Sequence, residues 1–120
     1  MEVLTKAAWA LLALFHLAPS LPFFAPAMVE QLYGVDPAGD AGVLLAHRGA
    51  LFLVVLVAAL VAMWSVETRK LVAALCAISM IGFLMLYARA GSLAGPLRKI
   101  AVADLIGLLP LAFVSWRAFS

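Results

Sequence analysis

A small set of polar side chains interrupts the long apolar runs of this 120-residue chain, and the set gathers toward one end of those runs. Arg48 and Asp104 lead it. Counted at the helical rise, His47 and Arg48 fall about 7–9 Å into the second run from Gly42, and Asp104 falls about 12 Å into the fourth from Pro96. Either charge alone in hydrocarbon costs at least ~2.5–3.5 kcal/mol on insertion scales, so each is expected to find a partner. Similar depth makes an Arg48–Asp104 ion pair the first expectation, as a tie between two helices or as the polar floor of a pocket. A buried pair is weak evidence for stability, which leaves room for the second role.

The remaining members are weaker candidates. His47 adjoins Arg48, so the two side chains diverge by ~100° around a helix. If Arg48 points inward, His47 points to a neighbouring helix or to the first connection. A hydrogen-bonded structural histidine is its simplest role, although an imidazole also suits a proton acceptor. His16 lies near the outer end of the first run, and Tyr87 and Arg89 lie near that of the third. Tyr33 and Tyr87 can donate hydrogen bonds to a headgroup, but interfacial tyrosines commonly have no such duty. Glu30 reads either as a group reaching the mouth of the helices or as an ordinary solvated residue.

Several chemistries are excluded. Ser65, Ser79 and Ser115 lack an adjacent base, no zinc-type histidine spacing occurs, and Gly91-Ser92-Leu93-Ala94-Gly95 is a turn that no strand precedes. An enzyme is therefore not the favoured reading. Haem held between His16 and His47 has no second feature to support it, so no cofactor is expected. The single cysteine, Cys76, excludes cysteine-pair redox chemistry within one chain and packs most simply as a small apolar residue. No basic run or aromatic-interleaved patch suggests nucleic acid.

The elements that must position these groups are apolar helices. Hydrophobic residues make up 68% of the chain and mean hydropathy is +1.18, more apolar surface than a water-soluble core of this size absorbs. Four runs carry it, and a spanning helix needs roughly 20 apolar residues. The expected fold is all-α: an integral membrane four-helix bundle, up-down-up-down, with helices at about 3–20, 42–64, 71–90 and 96–119 in one domain, 1–120. The first stretch also imitates a signal peptide, with Ala25-Pro26-Ala27 as a small-residue site. Its leading segment has no net positive charge and Pro26 interrupts the site, so a first transmembrane helix is expected instead.

The first connection holds four prolines yet also Phe23, Phe24, Met28, Val29, Leu32 and Tyr33. Pro26 suits the first turn of a short interfacial helix, and Gly34 suits its left-handed cap. Asp40 is a candidate cap for the next helix. Pro110 should kink the fourth run. Trp9, Trp64 and Trp116 read as membrane-interface anchors. Small residues at four-residue spacing, Gly42-Ala46-Ala50 and Ala58-Ala62, allow close helix approach, within the chain or across a homodimer seam. Lys6, Arg69, Lys70 and Arg117 lie on one side, against Arg89, Arg98 and Lys99 on the other. That margin places both termini in the cytoplasm by the positive-inside rule. Every helix then contributes a polar group to the outer half, while the inner half has almost none.

Leu32-Tyr33-Gly34-Val35, a short acidic turn, then His47-Arg48-Gly49 opening a long apolar helix and Asp104 in the fourth, resembles the DoxX-like group of small bacterial four-helix membrane proteins. The closer likeness is to an uncharacterised branch of that group. The resemblance implies the same fold and a bacterial inner membrane, and it permits a role as a membrane subunit beside quinone-linked oxidoreductases. Length and span count are also similar to the small multidrug resistance transporters, but the membrane acid those need in helix one is missing between Val3 and Ala18. The expected function is to bind or move a lipid-like or quinone-like molecule in a polar-floored pocket of the outer half. The alternative is a non-catalytic subunit or assembly factor of a larger membrane complex.

Overall fold

A computed structural model describes residues 1–92 and 94–120; Leu93, in the third expected connection, lies outside them. The described residues form helices and short turns with no strand among them. The helices are α1 (Glu2–Phe15), α2 (Leu17–Phe24), α3 (Met28–Tyr33), α4 (Asp40–Trp64), α5 (Arg69–Arg89) and α6 (Leu97–Phe119). A 3-10 turn over Val66–Thr68 leads into α5. Asp40–Trp64 and Val66–Arg89 are each long and apolar enough to cross a membrane, and α1 with α2 makes a third such segment if the bent pair counts as one.

The first run does not continue as one helix to residue 20. Pro19 has no N–H to offer the Phe15 carbonyl, and its ring crowds that turn. The backbone breaks at His16, whose N–H bonds back to the Ala13 carbonyl at 3.1 Å, and α1 meets α2 at 41°. The short helix in the first connection forms where the sequence suggests. Val29 and Tyr33, one turn apart, are its buried face, and Gly34 closes it at φ 68 with its N–H on the Glu30 carbonyl at 2.8 Å. Asp40 is not a cap. Gly39 holds that position, and Asp40 already lies in the first turn, where its charge favours the helix dipole. The preceding turn is tied by Asp36 Oδ1, which accepts the Ala38 N–H at 3.0 Å. Around Pro110, α6 runs unbroken from Leu97 to Phe119.

Packing divides the molecule into a tight end and an open end. Helix α1 lies against α4 and α6, α2 against α4, and α5 against α6. Sequence neighbours α4 and α5 pack on each other more sparsely. The core collects Trp9 and Leu12 from α1, Ala59 and Ala62 from α4, Cys76 and Met80 from α5, and Leu111 and Val114 from α6. These belong to the late half of α4, the early and middle part of α5 and the late half of α6, so one end is close-packed. Gly107 lets α6 approach there, since any side chain on it would strike Met80.

Trp9 departs from its expected role as an interface anchor. It is fully buried, because Thr5, Trp9, Leu12 and Ala13 form the inward stripe of α1. Its indole N–H has no hydrogen-bond partner among the described residues. Trp64 and Trp116 are exposed, as an anchor must be.

Candidate functional site

Helix α2 fixes where Arg48 can point. It lies directly on Gly49: a methyl group there would meet Phe23 N at 2.8 Å and Ser20 O at 3.2 Å, backbone atoms that cannot swing aside. Arg48, one residue earlier, is rotated ~100° away from that contact. Its guanidinium carbon sits 4.7 Å from the ring centre of Phe52 on its own helix, 5.1 Å from that of Phe83 on α5, and 5.6 Å from that of Tyr33 on α3. Three π faces around one cation each contribute about 0.5–2 kcal/mol, the more so away from water. Arg48 Nη1 also donates to the Tyr33 hydroxyl at 3.2 Å. Burial pushes the Tyr33 phenol above its ordinary value, with the Arg48 charge opposing, so it stays a neutral hydroxyl at physiological pH.

The expected Arg48–Asp104 ion pair is not formed. Among the described residues, the one ion pair within 4.0 Å joins Arg69 to Glu2. Tyr33 is the reason: it takes the Arg48 hydrogen bond and also lines the crevice that holds Asp104. That crevice, about 260 Å³, lies among α1, α2, α3 and α6, with Lys99 and the half-buried Asp104 both on its wall. Asp104 and Arg48 thus face different spaces that meet at one phenol.

The larger space lies where α4 and α5 part. It is a laterally open groove of about 610 Å³, within the ~300–1,000 Å³ usual for ligand clefts. Leu51 and Val55 from α4 and Leu75, Ile78 and Leu86 from α5 supply much of its wall, which is almost wholly apolar. Arg48 is its one charged lining residue among those described, and Tyr87 and Leu97 lie at the same end. Gly82 leaves a gap in the wall, because a Cβ there would meet nothing within 4 Å.

The other expected site residues are dispersed. His16 is buried at the α1–α2 break and engaged at both ring nitrogens. Its Nδ1–H donates to the Leu12 carbonyl at 2.7 Å, which leaves Nε2 of the neutral ring to accept from the Ser79 hydroxyl at 3.2 Å. It ties α1 to α5 and tilts against Phe52 at 5.8 Å, so it supports the aromatic cage from behind. Tyr87 lines the groove and stacks on Phe83 at 6.1 Å. His47, Arg89 and Glu30 are exposed. The structure therefore brings together Arg48, Tyr33 and Tyr87 around the groove's polar end, sets Asp104 behind Tyr33, and leaves the three exposed groups outside.

One polar constellation has no counterpart in the sequence reading. Arg69, which looks there like an ordinary loop cation, is buried at the opposite end. Its Nε donates to the Ala62 carbonyl at 2.7 Å and its Nη2 to the Met63 carbonyl at 2.9 Å and to Glu2 at 2.8 Å. These carbonyls end α4 without partners inside the helix, and a guanidinium is a suitable cap for them. A signal was present: an arginine five residues after the last α4 residue can fold back on it. Comparison with protein-family models, with curated proteins and with solved structures finds no match to the chain.

Proposed function

We propose that the chain is a four-span bundle of the bacterial inner membrane, with both termini cytoplasmic, that binds or helps move a lipid-like or quinone-like molecule in the α4–α5 groove. A hydrocarbon chain would lie along the apolar wall and a polar head would meet Arg48. The observation that carries this reading is the groove itself: about 610 Å³, apolar along its length, open to the side, and closed at one end by a caged cation. The membrane setting is supported by the exposed apolar residues of α4 outside the groove, such as Leu44, Val57 and Val61. Helix α3, joined to the site through Tyr33, would serve as its cover. Asp104, beyond ion-pair reach of Arg48, would tune the polar end rather than hold the ligand.

Gly82→Leu tests the reading, since its Cβ has open space at the groove wall and the longer side chain would occupy the groove. Native mass spectrometry of gently extracted protein should show a retained small-molecule mass in the wild type and its loss in Gly82→Leu, with both proteins folded. Equal retention by the two would place the ligand elsewhere. A bare protein mass for both would turn attention to a role as a subunit of a larger membrane complex.

A further inference from the structure

Guanidinium groups carry five N–H donors in a fixed fork. On Arg48, one hydrogen bond to a described residue is formed, to a neutral hydroxyl. Aromatic faces attract the charge but accept little hydrogen bonding, and the nearest candidate counter-ion, Asp104, lies outside 4.0 Å in the adjoining crevice. Among the described residues, no acidic one lines the groove.

From this we infer that the groove's ligand is an anionic amphiphile, a hydrocarbon chain ending in a carboxylate or phosphate that the Arg48 fork grips. The inference rests on the α4–α5 groove being a ligand site and adds the charge of what enters it. A neutral quinone carbonyl offers one acceptor oxygen and no charge to pair with a cation whose contacts are π faces and one hydroxyl. An oxyanion supplies both, and an arginine meets it with two parallel, charge-assisted hydrogen bonds. Chain and charge are read by separate parts of the site, so they can be removed separately.

The test uses the full chain, delipidated in neutral detergent, and probes of matched chain: oleate against oleyl alcohol, dioleoyl phosphatidic acid against dioleoylglycerol, and a prenylated benzoquinone. Native mass spectrometry of the wild type should show each anion retained about tenfold or more over its neutral counterpart, the scale of charge-assisted hydrogen bonding. Arg48→Gln should bring that ratio close to one, Arg48→Lys should keep part of it, and Gly82→Leu should abolish retention of anion and alcohol together. Millimolar inorganic phosphate should not displace oleate. Displacement would mean a small-anion site and overturn the amphiphile. Equal retention of anions and neutrals in the wild type, still lost in Gly82→Leu, would overturn the anionic headgroup while sparing the groove. Retention of no probe by the wild type would overturn both. If Arg48→Gln does not fold, the wild-type ratio and Gly82→Leu still decide between these outcomes.

Discussion

Two arginines of this chain show how one residue type takes opposite parts. Arg69 is satisfied: two backbone carbonyls and Glu2 take its donors, and its side chain is 9% exposed. Arg48 is held by π faces and one phenol, and its remaining donors face a groove. Removing Arg69 should therefore cost stability and removing Arg48 should cost binding. Arg69→Met keeps much of the packing but strands the last carbonyls of α4, a loss of about 2–4 kcal/mol for broken hydrogen bonds to a buried charge. Unfolding of the purified protein in mixed micelles measures it, and a change below half a kcal/mol would show that those carbonyls are otherwise satisfied. His16 sits on the same side of the ledger as Arg69, since a ring with both nitrogens engaged inside the protein has none to offer a ligand.

At the scale of elements, glycines and a proline decide the site's shape. Pro19 breaks the first run at His16, and the resulting bend brings α2 onto α4, where Gly49 gives it room. A side chain at position 49 must push back backbone atoms of Phe23 and Ser20. Gly49→Val should destabilise by about 1–3 kcal/mol through overpacking, and should loosen the seat of the neighbouring Arg48. Gly82→Leu, on the open wall of α5, should leave stability unchanged or raise it slightly, because leucine is the better helix former by up to about 1 kcal/mol. Paired unfolding curves test both statements, and equal effects of the two substitutions would contradict the geometry. Short, patterned segments were legible in advance at this scale. The α3 helix and its left-handed cap at Gly34 follow from local residue types, whereas the α1–α2 bend joins two proline effects to a packing partner 30 residues away.

At the scale of the molecule, the asymmetry is between a packed end and a parted end. The described residues extend 44 Å along the longest axis, enough for the ~30 Å hydrocarbon core of a bilayer with both faces protruding. In a four-span arrangement, the turn between α4 and α5 and the turn before α6 open on opposite sides of the membrane. In a Cys76→Ala background, cysteines at Glu67 and at Ala38 or Ser92 should then react with an impermeant maleimide from opposite sides. Glu67 should be protected in intact cells, and Ala38 and Ser92 labelled. Labelling of all three from one side would remove the four-span reading, and the reverse pattern would invert its orientation.

The three long helices after the first connection and their approximate ends belong to the sequence by itself. Apolar run length, proline and glycine placement and charge position act locally, and local physics survives without knowledge of partners. Only the tertiary structure decided which polar groups meet. Arg48 and Asp104 share a depth but not a space, because Tyr33 from the first connection reaches one and lines the crevice of the other. Trp9 looked like an anchor by type and became core by its place on the inward stripe of α1, and Arg69 looked like a loop charge and became the cap of α4. The groove was the least legible of all. It arises because α4 and α5 pack better on α1 and α6 than on each other, and no single helix records how closely its neighbours will come.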